Sequence, residues 1–333
     1  MKKYKIAVIG MSFGGRMTES ELLNNDYFEL DSVCDLDEEK ARSWAEKFSV
    51  PYYTDMDKLF NERDIQAVAL ITGPKGRGQL IQKCADRGIH VMTTKPFELS
   101  ADKARSALGY AEKKGIQLFV NSPRMVPTGE IRRIREMIRD YDLGRPIAYY
   151  GSTWCSYREK TDGSWYDDPS VCPVAPVFRL GVYLINELSQ IFQGVESVNV
   201  SESRIFTERP TSDNASLTIQ HTNGAIGTVF ASFCIDDMDS YKCSYILHFE
   251  RGTIYKGVLP TEDRNEVALQ LSCNYKGSRV MLDERIHINE SGYQWKEFYD
   301  AIGGNRSPEY IGSEPIVSAI QILEKMKENA CIK

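Results

Sequence analysis

A short apolar run, Lys5-Ile6-Ala7-Val8-Ile9, ends directly on Gly10-Met11-Ser12-Phe13-Gly14-Gly15. A helical stretch then leads to a second short strand, Asp31-Ser32-Val33-Cys34, and the next residue is Asp35. Strand, glycine turn, helix, strand and acid in that order constrain the fold more than any other feature, because together they make a dinucleotide site. Gly10 permits a sharp turn, the small Ser12 lets the backbone approach a pyrophosphate, and Gly15 lets the helix lie against the sheet. The helix start offers unpaired N–H groups and the positive end of its dipole to phosphates. Ser12 stands where this fingerprint usually has its second glycine. Gly10, Ser12, Phe13, Gly14, Gly15 and Asp35 are therefore the expected cofactor-binding residues of the turn. Asp35 is positioned to accept hydrogen bonds from ribose hydroxyls and to repel a 2′-phosphate. Leu36-Asp37-Glu38-Glu39 follow it, with no base before Lys40, so NAD is expected in preference to NADP.

A chain of 333 residues is long for one core and points to two domains. Its net charge of −6 disfavours a nucleic-acid partner, which needs a Lys/Arg excess to neutralise phosphates. No apolar run approaches the ~20 residues of a membrane span. Lys2-Lys3 ahead of a strand superficially resembles a signal peptide, but the apolar run is too short and no small-residue cleavage site follows. Eight scattered cysteines with no C-x-x-C, and four histidines far apart in sequence, have no zinc spacing. The expectation is a cytoplasmic protein that uses no metal.

Strand and helix alternate through the first third. Helices are predicted over Glu38–Phe48, 55–61 and 79–87, and from a Ser100 cap to Lys114 with Gly115 as the stop. Strands are predicted at 67–71, 89–93 and 117–120. Apolar strands between helices imply a parallel sheet covered on both faces. After about Arg124 the rhythm changes. A helix over 130–139 and a strand over 146–154 precede an irregular, aromatic-rich segment, 155–178, and a helix over 180–192. Strand-like stretches with turn signals then recur to about residue 283, before helices near 293–303 and 313–329. The fold class expected is an α/β Rossmann domain, residues 1–122, plus an α+β domain, residues 123–333, with a large, mostly antiparallel, open-faced sheet.

Thr94-Lys95-Pro96 falls at the C-terminal end of a predicted Rossmann strand, the edge where ligands bind. A lysine there can polarise or deprotonate a hydroxyl; the alternative is a solvated lysine beside a strand-ending proline. With the fingerprint, Lys95-Pro96 in the place of a Glu-Lys-Pro motif, Asn121-x-x-Arg124-x-x-Pro127 and Arg179-Leu180-Gly181-Val182-Tyr183-Leu184-Ile185-Asn186, the chain resembles the Gfo/Idh/MocA oxidoreductases. Glu297-Phe298-x-x-Ala301-Ile302-x-Gly304 extends that resemblance to the tail. It implies an NAD(P)-dependent dehydrogenase or reductase acting on CH–OH groups of sugars, polyols or sugar acids. It also implies a homodimer or homotetramer packed through the open sheet. Lys95 and Tyr183 are the implied catalytic residues, and Arg179, Arg124, Trp154 and Asn186 the implied substrate-binding ones. Thr72, Pro74, Lys95 and Pro96 join the cofactor set.

Two departures from the family pattern matter. Relatives place an acid and a histidine four residues apart where this chain has Arg179 and Tyr183, a pair that shares a face on a helix. Tyrosine, with an ordinary pKa of ~10, needs cationic neighbours to act as a base at neutral pH; the alternative is a half-buried helix tyrosine in an enzyme that has lost its chemistry. The loop after Ile71 reads Gly73-Pro74-Lys75-Gly76-Arg77-Gly78 where relatives have Thr-Pro-x-x-x-His. Lys75 and Arg77 either approach the pyrophosphate or substrate or belong to a solvated glycine-rich loop. In place of an acid, Arg179 can grip an anionic substrate, helped by Arg124 and Arg158; alternatively it pairs with a nearby carboxylate. NAD-assisted glycoside hydrolysis without net redox, and a catalytically inactive sugar- or cofactor-sensing protein, stay open as other functions.

Overall fold

A computed structural model describes residues 2–238, 242–263, 265–288 and 292–331. The chain divides into two compact units. The first, Met1–Val126, takes back Gly292–Ser313; the second comprises Pro127–Ser291 and Glu314–Lys333. Among the described residues no helix is long and apolar enough to cross a membrane.

The first unit carries a six-stranded parallel sheet in the order β3-β2-β1-β4-β5-β6, formed by β1 (Tyr4–Ile9), β2 (Phe28–Cys34), β3 (Tyr52–Tyr53), β4 (Ala67–Leu70), β5 (His90–Thr93) and β6 (Leu118–Val120). This is the doubly wound order, in which the strand sequence reverses between β1 and β4 and leaves a crevice at their carboxyl ends. The central strands are buried on both faces, as the runs Ile6-Ala7-Val8-Ile9 and Ala67-Val68-Ala69-Leu70 require. The connecting helices are α1 (Met11–Met17), continued by a wider π-type turn at Thr18–Leu22, α2 (Glu38–Phe48), α3 (Met56–Glu62), α4 (Arg77–Asp86) and α5 (Ala101–Lys113). Asp37 and Asp55 cap α2 and α3 by accepting from the Lys40 and Lys58 N–H groups. Ser100 does occupy the N-cap of α5, but its hydroxyl accepts no backbone hydrogen bond there.

The sequence does not reveal that 292–313 returns to this unit. The reason for the return is aromatic. Trp295 and Phe298, on the late helix Trp295–Ile302, pack at 5.6 and 5.5 Å against Phe28 of β2, and Tyr310 donates to the Leu118 carbonyl at 2.9 Å.

The second unit holds an eight-stranded sheet. Its first helix is α6 (Gly129–Asp140) and its first strand β7 (Pro146–Trp154); α7 (Val182–Leu188) precedes the remaining strands. These are β8 (Val195–Ser203), β9 (Asn214–His221), β10 (Ile226–Ser232), β11 (Lys242–Phe249), β12 (Gly252–Lys256), β13 (Glu266–Tyr275) and β14 (Ser278–His287). The order is β14-β13-β12-β11-β7-β10-β9-β8, and β7 and β10 form its one parallel pair among the named strands. Alternation separates the faces. Tyr149, Leu217, Val229 and Leu247 are buried on one face, whereas Tyr150, Thr218 and Ile226 are exposed on the other.

Candidate active site

In the first unit the glycine turn is built from steric necessity. Gly10 sits at φ +92°, and a Cβ there would lie 2.7 Å from the Ile71 carbonyl oxygen. Only glycine accommodates both demands. The role of Gly15 differs from the expectation. Gly14 packs on the sheet, its Cβ position 3.1 Å from Val8, whereas a Cβ on Gly15 would fall 2.1 Å from the Trp44 ring of α2. Gly15 therefore lets α1 approach a neighbouring helix rather than the strands. Ser12 and Phe13 are exposed at the turn.

Asp35 follows β2 and is half-buried. One carboxylate oxygen accepts the Met11 N–H at 2.6 Å and the other the Asp37 N–H at 3.0 Å. The acid thus holds the start of α1 while each oxygen keeps a further lone pair for a ribose hydroxyl. A backbone cradle that a Cβ would fill, a helix beginning immediately after it and an acid at the neighbouring strand end fit an adenine dinucleotide.

The loop after β4 corrects the sequence reading. Arg77 is neither solvated nor turned toward a ligand: it is 1% exposed. Its guanidinium donates to the carbonyls of Thr72, Thr94 (2.5 Å), Pro96 and Phe97 (3.2 Å). Burial pushes this group down to about 10, opposed by the charges of Tyr293 and Glu98, so it remains a cation at neutral pH. Thr72 is half-buried, its hydroxyl donating to the Gly73 carbonyl at 3.2 Å, and Pro74 is buried. Gly73, Lys75 and Gly76 are the exposed residues of the loop. Lys95 is half-buried just beyond β5, and its N–H donates to the Asn121 side-chain oxygen at 3.0 Å. Pro96 is buried, and Arg124 is half-buried beyond β6.

In the second unit the chemistry-bearing residues cluster around the segment 155–188. Arg179 occupies a π-type turn, Val177–Gly181, that runs into α7. Such turns recur at functional sites. The residue that introduces this turn, Val174, adopts φ +46° while buried, a conformation β-branched residues rarely take.

Arg179 is not a waiting anion grip. Both its terminal nitrogens donate to Glu159, at 2.5 and 2.7 Å, and its plane lies 3.8 Å over the Tyr166 ring. The alternative reading, pairing with a nearby carboxylate, is the one the structure shows. Burial by itself would raise the Glu159 carboxyl, but hydrogen bonds and charge from Arg179 and Arg209 hold it below its ordinary value. Arg209, also buried, extends the network to Asp162 (2.9 Å) and Asp167 (2.6 Å). Arg158, the other helper expected for an anion, stacks 3.8 Å over Phe206.

Tyr183, in the first turn of α7, is 39% exposed, whereas Asn186 on the same helix is buried. Trp154 ends β7 and donates its indole N–H to Asp237 at 3.0 Å. Sequence reasoning missed Glu159 and Arg209 because nothing local ties them to Arg179. Arg77 was legible only as a cation in a glycine-rich loop.

Residues 4–122 match the family model described as the oxidoreductase family with an NAD-binding Rossmann fold, GFO_IDH_MocA, and residues 131–255 match the GFO/IDH/MocA C-terminal domain. The chain is 24% identical over 281 residues to D-apiose dehydrogenase of Paraburkholderia graminis, covering 83% of this chain and 69% of that protein. It is 23% identical over 177 residues to the 2,7-anhydro-N-acetylneuraminate hydratase of Mediterraneibacter gnavus, half of this chain and 46% of that one. Among solved structures, levoglucosan dehydrogenase in complex with NADH and levoglucosan superposes with a TM-score of 0.71 at 16% identity, covering 99% of this chain and 97% of that one. A likeness at that identity establishes the fold.

Proposed function

The chain belongs to the Gfo/Idh/MocA oxidoreductases, whose Rossmann fold binds NAD, and from that premise we propose that it transfers a hydride between NAD and a secondary alcohol or ketone of a neutral sugar or polyol. One observation carries the reading. Lys95 stands at the carboxyl edge of the parallel sheet, its own N–H held by the Asn121 side chain and the carbonyls of its neighbours Thr94 and Pro96 held by Arg77. A positioned amine at that edge suits a proton-handling role at a substrate oxygen.

When bound, NAD+ would accept the hydride in oxidation and NADH would donate it in reduction. Gly10, Ser12, Phe13, Gly14 and the start of α1 would hold its phosphates, Asp35 its ribose, and Thr72, Pro74 and Pro96 the walls beyond. Lys95 hydrogen-bonds the reacting oxygen and, with Tyr183, takes its proton in oxidation and returns it in reduction. Asn186, Trp154 and Arg124 orient the substrate's other hydroxyls. A neutral substrate is favoured over a sugar acid because the Arg179 charge is already met by Glu159.

Asp35 followed by three acids and a leucine supports NAD over NADP. The exposed face bearing Tyr150 and Ile226 supports assembly through the large sheet; a purely monomeric sedimentation profile would remove that part.

The test is a panel of aldoses, polyols and matched uronates assayed with NAD and with NADP by the appearance of reduced cofactor. Lys95→Met and Tyr183→Phe are each expected to lower turnover roughly 10²–10⁴-fold while NADH affinity stays within a few-fold. Full turnover in both variants refutes the assignment. Release of an aryl leaving group without reduced cofactor identifies the glycoside-cleaving chemistry instead.

A further inference from the structure

Arg77 is the first residue of α4 and its side chain is closed off from solvent, yet its acceptors are main-chain carbonyls rather than a carboxylate. Burying a cation is costly unless its donors are met. The planar guanidinium offsets that cost in part by spreading its terminal N–H groups over four carbonyls from two loops, while its buried Nε–H has no partner. Glu98, an acid whose charge acts on Arg77, is occupied differently. Its oxygens accept the Gly78 and Leu99 N–H groups at 3.0 Å each, tying the start of α4 to the same loop.

The carbonyls that Arg77 gathers are not a random set. Thr72 lies just beyond β4, and Thr94 and Pro96 bracket Lys95 just beyond β5. A single side chain thus joins the carboxyl ends of two adjacent parallel strands, the edge of the sheet where ligands sit. From the other side, Asn121 at the end of β6 accepts the Lys95 N–H. One main-chain group from each of three consecutive residues, the Thr94 carbonyl, the Lys95 N–H and the Pro96 carbonyl, is therefore held by side chains from neighbouring strand ends.

We propose that Arg77 is a positioning residue: it fixes the backbone that aims Lys95 and sets the distance between the Lys95 loop and the Thr72 loop. This rests on the reading of Lys95 as a proton-handling residue. Displacing a catalytic group by about 1 Å can cost on the order of 10²-fold in rate without loss of binding, so the effect of Arg77 should fall on kcat and pass through Lys95.

The experiment uses the full chain with Arg77→Lys, which retains a cation but loses the fork, and Arg77→Gln, which removes the charge. The second variant avoids a buried, poorly met ammonium, so at least one of the two is expected to fold. With the fastest substrate of the panel, kcat should fall about 10- to 100-fold while substrate KM and the NADH dissociation constant stay within about threefold. In a Lys95→Met background the same substitutions should cost nothing further, the non-additivity of residues acting as one unit.

A second readout needs no substrate. After reductive methylation with 13C-formaldehyde, the Lys95 resonance, identified by its loss in Lys95→Met, should shift to the position of the solvated lysines in the Arg77 variants. Unchanged kcat, losses that multiply with Lys95→Met, or an unmoved Lys95 resonance would each overturn the proposal. If Lys95→Met alone leaves turnover intact, the reading of Lys95 fails and takes this one with it. If Lys95→Met abolishes turnover but the Arg77 variants do not, only the role of Arg77 is lost.

Discussion

The glycine turn of the first unit and the Arg179 segment of the second are built by opposite means. At the turn the backbone does the shaping: Gly10 adopts a left-handed conformation against the Ile71 carbonyl, Gly15 opens space for Trp44, and one carboxylate, Asp35, ties the corner. In the Arg179 segment side chains do the shaping. Glu159, Arg209, Asp162 and Asp167 hold an irregular loop in place, and Arg179 stacks between that network and Tyr166. A site made from backbone tolerates almost no change at its glycines and much change elsewhere. A site made from a charge network depends instead on each buried charge finding a partner, as Arg179 finds Glu159.

The largest effect expected from this contrast is at Gly10. Gly10→Val would bring a branched side chain to φ +92° within 2.7 Å of a backbone oxygen that cannot rotate away. Strain of that kind costs about 1–3 kcal/mol before the clash is counted. The expected result is loss of detectable NADH binding by fluorescence and a lower melting temperature. Retained binding would mean the turn is not set by sterics.

Glu159→Gln probes the other region. Removing one partner of a buried ion pair costs about 3–5 kcal/mol, and the partial exposure of Glu159 brings the expected loss to about 2 kcal/mol, read from denaturant melts. The same carboxylate gives a pH signature. Its folded-state value is depressed, so its contribution is fully present above the ordinary value of 4.5 and is lost as pH falls through the folded value. Parent stability should therefore decline more steeply below about pH 4.5 than that of Glu159→Gln. Parallel curves would mean the network holds nothing.

The smallest effect separates a cap from its sequence signature. Asp37→Ala removes a side chain that accepts the Lys40 N–H and should lower the melting temperature measurably. Ser100→Ala, at a cap whose hydroxyl makes no such bond, should cost less than about 0.5 kcal/mol in the same melts.

Much of the architecture was legible because it is local. The strand at Pro146–Trp154 and the helix at Glu38–Phe48 are found where alternation and periodicity put them. The two-residue strand Tyr52–Tyr53 was too short to announce itself, and the helix expected from Leu180 begins instead as a π-type turn at Val177. Arg77 shows the limit most clearly. In sequence it is a cation among glycines, the composition of a solvated loop; in the fold it is buried because four carbonyls from 72 and 94–97 converge on it.

By itself, then, the sequence determined the doubly wound first unit, the glycine turn with its acid, the strand-rich second unit and the place of Lys95 at a strand end. Each depends on periodicity or on residues within one supersecondary unit, where the chemistry of neighbours is enough. Only the tertiary structure decided that Arg179 pairs with Glu159, that Gly15 answers to Trp44, that 292–313 returns to pack on Phe28, and that Arg77 braces the loop of Lys95. Those outcomes depend on which desolvated groups meet across long sequence separations, and a buried charge takes whatever partners the packed fold brings within hydrogen-bonding distance.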